Sequence, residues 1–284
     1  MNPAQKQLVL QDVSHSYARS TVLEQVSFTI VAGRIIALVG PSGCGKTTLM
    51  HLCAGLEVLR NGRIDNTFVT PACMFQQPRL LPWKRAIDNI ALGLKAAGIP
   101  RHERTTRAAA LGQRMGLLPD DLQKYPHQLS GGMQSRVALA RALVMEPDLM
   151  LLDEPFSALD IGLKQELYAL LLQHLNARHI GVLLITHDLM EAVRLSSEIM
   201  VMAAEPGRIV RRFTIAAAPE TRDDAFVYHT TAQLLQDKAV RSAFALGNAV
   251  PVATPTESTG ALPAALMEAS PEEAVSATAQ EHRC

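Results

Sequence analysis

The chain has 284 residues, enough for one large domain or two modest ones, and its 27 Lys and Arg balance 27 Asp and Glu. A net charge of zero argues against a nucleic-acid partner, and no stretch reaches about 18 uncharged apolar residues, so no membrane-spanning helix is expected. The start, MNPAQKQLVLQDVSHSY, lacks a basic stretch leading into a long apolar core, so no signal peptide is expected, and Cys44, Cys53, Cys73 and Cys284 form no C-x-x-C pair and read as reduced thiols of a cytosolic protein.

Residues 7–36 alternate in strand fashion through LVLQDVSHSY, TVLEQVSFTI and GRIIALVG, which predicts an antiparallel β layer feeding a buried strand. That strand runs into GPSGCGKTT, the pattern G-x-x-x-x-G-K-[ST], with Gly40, Pro41, Ser42, Gly43, Cys44, Gly45, Lys46, Thr47 and Thr48 in order. Apolar residues at helical spacing follow in TTLMHLCAGL. Strand, glycine loop and helix together form a phosphate cradle. Glycines let successive N–H groups point inward, and the helix N-terminus adds partial positive charge. Lys46 supplies a full charge near the β- and γ-phosphates of a nucleoside triphosphate, and the Thr47 hydroxyl can ligate Mg²⁺. The helix N-terminus and Lys46 also favour a thiolate at Cys44, so a reactive thiol shielded by bound ATP is expected there. Cys53 on the helix and Cys73 on a buried strand are expected to be sluggish.

From about 85 to 145 the texture turns helical, in AIDNIALGLKAAG, RTTRAAALGQRMG and a segment after Ser130. LSGGMQSRVALARAL then sets Ser130, Gly131 and Gly132 before a long amphipathic helix. A hydroxyl, two unobstructed amides and a helix N-terminus make a second anion site, although a serine N-cap alone is a common feature. The buried strand LMLLDEP ends in Asp153-Glu154. Asp153 can hold Mg²⁺ through its water shell, and Glu154 can polarise a water for in-line attack on the γ-phosphate. Neighbouring residues in a strand point opposite ways, so both reach one site only if the chain turns there. A solvated acidic pair after a strand is an ordinary feature, and the pair carries little by itself. GVLLITHD, EIMVM and GRIVRRF read as further strands, which gives a mostly parallel α/β core. One helix is expected near TAQLLQDKAVRSAFAL, and the Ala-, Pro- and Ser-rich segment from Asn248 onward reads as a disordered tail.

LSGGMQSR resembles the signature motif of the ATP-binding cassette family, the ATPase subunits of ABC transporters. The other landmarks match that family in order. Tyr17, in VSHSYARS, matches the aromatic residue that stacks on adenine, and the loop at 40–48 matches Walker A. Gln76, in CMFQQPRLLPW, matches the Q-loop glutamine, and Asp153 and Glu154 match Walker B. Asp160, in SALD, matches the D-loop, and His187, in LLITHD, matches the switch histidine. The resemblance spans roughly residues 7–213. RLLPW and PGRIV are similar to the importers of nitrate, sulfonate and taurine. One departure is Ser135, where the family usually has glutamine, and a weakened dimer contact is expected from it.

The resemblance implies a P-loop NTPase core with an antiparallel β subdomain and a helical subdomain. Residues 1–215 would form the cassette, with the helical subdomain at about 85–145, then a helical extension at 216–248 and a tail at 249–284. It implies an ATP-hydrolysing importer subunit with ATP and Mg²⁺ as its ligands. Thr47, Gln76 and Asp153 would hold the metal, Glu154 would be the general base, and His187 and Gln76 would assist. Two copies would pair head to tail, with Ser130, Gly131 and Gly132 completing the partner's ATP site, and Asp160 would also be a nucleotide-binding residue. The pair would sit peripherally on the cytoplasmic face of the inner membrane, on a separate permease served indirectly by a solute-binding protein.

A soluble ABC ATPase outside transport is the alternative. Repair types carry long coiled-coil inserts, for which the 84 positions from Lys46 to Ser130 leave no room, and translation types carry two cassettes. A small-molecule kinase has no use for LSGG.

Overall fold

The computed structural model describes residues 6–18 and 20–246. The expected tail at 249–284, with Cys284, lies outside the described residues.

The first sheet is antiparallel, in the order β2 (Ser20–Val31), β1 (Gln7–Tyr17), β4 (Asn61–Asn66). Alternation builds its buried face, which takes Leu8, Leu10, Val13, Leu23, Val26, Phe28 and Ile30. The sequence pattern did not show β4, because NGRIDN has no apolar period and only Ile64 and Asp65 are even half-buried.

The strand that this layer feeds, β3 (Ile35–Val39), is buried as expected and is not part of the layer. All five residues of β3 are buried, and the strand lies inside a second sheet, parallel to both its neighbours. That sheet runs β5 (Pro71–Met74), β6 (Leu149–Asp153), β7 (Gly181–Thr186), β3, β8 (Glu198–Ala203), β9 (Arg208–Thr214). Only β9, at the edge, is antiparallel. Strands covered on both faces read as continuous apolar runs, which is what IIALV, LMLL and GVLLI show.

Alternate residues of these strands enter different cores. Met150 and Leu152 of β6 face one cluster, with Ala86, Ile90, Met115, Val137 and Leu171. Leu149 and Leu151 face another, with Leu38, Leu49 and the first sheet. A third cluster joins Ala37 and Val39 to Ala192, Val193, Val227 and Val240. Each fully buried Leu, Ile or Val in these clusters contributes about 1.5–3 kcal/mol.

Helices fill the connections: α1 (Lys46–Cys53), α2 (Ala86–Ile90), α3 (Leu92–Ala96), α4 (Arg101–Arg114), α5 (Pro119–Leu122), α6 (Gly131–Leu143), α7 (Ile161–Arg178), α8 (Leu189–Leu195), α9 (Asp224–Leu234) and α10 (Lys238–Ala243). AIDNIALGLKAAG, read as one helix, is two, meeting at Ala91. The C-terminal helix is also two. Asp237 interrupts it by accepting from the N–H groups of Ala239 and Val240, which starts α10 afresh.

Parallel register sets up the site. Ile185 of β7 pairs with both Leu38 of β3 and Asp153 of β6, while Met74 of β5 pairs with Leu152. The loops that follow these four strands therefore leave the same edge of the sheet side by side, as open α/β sites do.

Candidate active site

The loop after β3 wraps into α1 through two glycines with positive φ, Gly43 at 80° and Gly45 at 96°. At Gly45 the positive φ disfavours a side chain, and a Cβ would also crowd Leu23 Cδ2 at 2.8 Å and Val22 O at 3.2 Å. The loop borders a cavity of about 240 Å³, lined by Ser42, Gly43 and Gly45 to Thr48 with Val22, Gln76, Asp153 and Glu154. Lys46 is buried, and its Nζ donates to the carbonyls of Gly40 and Pro41, each at 2.8 Å. Its third N–H has only the Cys44 sulfur, 3.7 Å away, and that weak contact is the one to be given up for a phosphate.

Cys44 corrects an expectation. The turn aims its side chain away from the cavity and into the core beside Leu38 and Met50, where it is 1% exposed. Burial pushes the thiol upward, and the Lys46 charge offsets this only in part. The helix terminus and lysine therefore do not make a reactive thiolate here. Cys53 is buried as expected, and its thiol is pushed up to about 12 by burial. Cys73, read as buried, is only half-buried on edge strand β5.

Asp153 ends β6 and accepts the Thr47 hydroxyl at 2.8 Å. Burial lifts its carboxyl above its ordinary value; the Thr47 bond opposes this and the Glu154 charge adds to it. Glu154 follows in the left-handed region, at φ 48°, with its N–H donating to Ile185 O at 2.8 Å. This turn brings both carboxylates into one cavity despite strand alternation. A non-glycine residue held there costs on the order of 1–3 kcal/mol, and such strain clusters at functional sites. Glu154 Oε2 accepts from Gln76 Nε2 at 3.1 Å, and its Oε1 lies 3.1 Å from His187 Nδ1. With Glu154 ionised, Nδ1 is the donating nitrogen.

The donor set suits Mg²⁺. The Thr47 hydroxyl, the Asp153 carboxylate and the Gln76 amide oxygen are hard oxygen ligands. Among the described residues no group of three or more His, Cys, Asp or Glu could hold a metal ion. An ion here would thus be shared with the oxygens of a bound phosphate, as Mg²⁺ sites commonly are.

Other expected site residues do not reach this cavity. Tyr17 is 44% exposed at the end of β1, its ring edge-on to His15 and its hydroxyl 3.3 Å from Glu57. Ser130 is exposed and caps α6, accepting from Met133 N–H at 3.3 Å. Gly131 faces open space, and Gly132 approaches Ala158 and Leu159. Asp160 caps α7 by accepting from Leu163 N–H at 3.0 Å. Ser135 is buried within the chain's own packing. It offers no side chain to a partner, so the expected weakening of a dimer contact loses its basis.

A family model described as ABC transporter matches residues 23–157. An aliphatic sulfonates import ATP-binding protein of Corynebacterium glutamicum is 41% identical over 221 residues, covering 78% of this chain and 89% of that protein. A taurine import ATP-binding protein of Rhizobium johnstonii is 41% identical over 207 residues, covering 70% and 79%. The chain belongs to the ABC transporter ATP-binding family. Among solved structures, a dimeric, post-hydrolysis ATP-binding cassette bound to ADP and Pi superposes with a TM-score of 0.66 at 26% identity, covering 74% of this chain and all of that one. A structure of an ATP-binding subunit of an ABC transporter gives 0.66 at 26%, covering 79% and 99%.

Two residues of this ABC cassette escaped the sequence reading. Val22 lines the cavity from β2. Gly207, in the turn between β8 and β9, backs the phosphate loop, with no room for a side chain against Cys44 O and Val22 O. The PGRIV stretch hinted at Gly207; nothing local marked Val22.

Proposed function

We propose that this chain is the ATP-hydrolysing subunit of an ABC importer, working as a head-to-tail pair beneath a separate permease on the cytoplasmic face of the inner membrane. The observation that carries the reading is the convergence of Gln76 and His187 on one carboxylate, Glu154, at the edge of the phosphate-loop cavity.

The amides of residues 42–48 and the Lys46 ammonium would hold the phosphates of ATP. Thr47, Asp153 and Gln76 would hold Mg²⁺, whose charge would offset that of the β- and γ-phosphates. Glu154 acts as general base: it takes the proton of the attacking water, and His187 keeps that water and the γ-phosphate aligned. Tyr17 stacks on the adenine. Ser130, Gly131, Gly132 and Asp160 lie outside the chain's own cavity, which fits a role on the ATP held by a second copy. ATP then favours the closed pair because only there does it touch both halves, and hydrolysis removes that link.

Gln76 opens the segment that leads to Trp83, which is 70% exposed. That segment is placed to pass closure of the pair to the permease. No helix of the described residues is long and apolar enough to cross a membrane, which suits a peripheral subunit. The relatives named for aliphatic sulfonates and taurine point to a sulfonate solute, delivered by a solute-binding protein and never touched by this chain. The test is affinity purification from membranes with the permease, followed by ATP turnover in vesicles. Recovery of an integral membrane protein, with turnover that rises when solute-loaded binding protein is added, is the expected result. Recovery of soluble partners alone would overturn the importer reading.

A further inference from the structure

One hydroxyl bridges the turn that carries His187. Thr186 closes β7, and Asp188 caps α8. The Thr186 hydroxyl accepts from Asp188 N–H at 3.0 Å and donates to Glu191 Oε2 at 2.8 Å. Thr186 and Asp188 flank His187, so the first bond spans the histidine. Asp188 Oδ1 in turn accepts from the N–H groups of Met190 and Glu191. Glu191 occupies the third helical position, from which a capping glutamate reaches back to the N-cap amide. Here it reaches that amide only through the Thr186 hydroxyl.

Glu191 is costly to place. It is 4% exposed, and among the described residues its Oε1 has no hydrogen-bond partner. A carboxyl buried with one oxygen unpaired is less favourable than an apolar side chain of similar volume. Packing alone therefore gives no reason for an acid here. The charges acting on it are Asp188 on its own turn, Lys164 from α7 and Glu154 from the end of β6, and Tyr168 of α7 also feels it. The first bond it makes leads straight to the residue before His187.

We propose that Glu191 is a positioning residue for ATP hydrolysis: through the Thr186 hydroxyl it fixes the turn that carries His187 and so holds the imidazole against Glu154. It acts through Thr186 and touches no atom of ATP. The proposal rests on the roles given above to Glu154 and His187.

ATP turnover of the purified full chain tests it, with Glu191→Leu, Glu191→Gln and Thr186→Val each made alone, and Glu191→Leu also combined with His187→Ala. Glu191→Leu and Thr186→Val should lower kcat roughly tenfold, the scale of a misplaced catalytic group, with KM for ATP little changed. Glu191→Gln can still accept the Thr186 hydroxyl and should keep kcat within about twofold, since a retained hydrogen bond costs little. Where His187 is already alanine, Glu191→Leu should cost nothing more. Wild-type kcat in Glu191→Leu overturns the proposal, and so does an undiminished loss in the His187→Ala background. If Glu191→Leu does not fold, Thr186→Val, which loses only the hydroxyl, decides by its kcat. A His187→Ala chain with full turnover overturns the underlying role of the histidine and this proposal with it. A slow His187→Ala chain beside an unaffected Glu191→Leu chain overturns this proposal alone.

Discussion

Glu154 Oε1 and His187 Nδ1 lie 3.1 Å apart across 33 residues of sequence. The contact exists because β6 and β7 are adjacent and parallel, in a register that ends both strands at the same height. It leaves Glu154 with an imidazole on one oxygen and the Gln76 amide on the other. A carboxylate held from both sides beside a phosphate loop keeps one orientation, which suits the general-base role proposed for it.

Glu154→Gln should therefore bind ATP as the wild type does and hydrolyse it at least about 10²-fold more slowly, the usual loss for a general base. The variant should elute from gel filtration as a dimer only when ATP is present. Near-wild-type turnover would assign the proton to another residue.

Lys46→Ala removes the only side-chain charge of the phosphate loop and leaves the Gly40 and Pro41 carbonyls without their donor. Charge-assisted contacts to phosphate are among the strong ones, so affinity for ATP should fall by tenfold or more, an effect of about 1.4 kcal/mol at the least. Calorimetric titration reads this directly. Equal affinity in the two proteins would remove the loop from nucleotide binding.

Cys44 should resist maleimide in the folded chain, because burial both hides the thiol and raises its pKa, which lowers the thiolate fraction at neutral pH. Among the described cysteines Cys73, only half-buried, should be modified first. Peptide mapping by mass spectrometry gives the order. Labelling of Cys44 ahead of Cys73 would show that the loop opens in solution.

Burial carries the Glu191 carboxyl from its ordinary 4.5 up to about 7. Between those values the folded chain keeps a proton that the unfolded chain has lost. The contribution to stability is therefore complete below 4.5 and lost as the pH rises through 7. Each pH unit in that window is worth about 1.4 kcal/mol, so the loss is on the order of 3 kcal/mol. Glu191→Gln cannot ionise and should flatten this part of the profile. Urea denaturation of both proteins at mildly acid and mildly alkaline pH measures it; equal slopes would mean that Glu191 titrates as an ordinary surface carboxyl.

Much of the site was legible in the sequence because its demands are local. Inward-pointing amides require glycine at Gly43 and Gly45, and a helix must follow at once, so GPSGCGKTT announces itself. The buried strands of the second sheet show as apolar runs for the same reason. The elements that stayed hidden, β4 and helices α7 and α8, owe their places to partners distant in the chain. The four polar residues of NGRIDN become a strand only because β1 offers them an edge.

Sequence by itself thus determined the family, the phosphate loop and the identity of the acidic pair. It could not determine that Glu154 turns through a left-handed conformation to share a cavity with Asp153, that Cys44 points into the core, or that Thr186 passes the Asp188 amide on to Glu191. Backbone spacing dictates what a loop can bind. Where a side chain points, and which charge it feels, depends on segments brought together only when the sheet has assembled and excluded water.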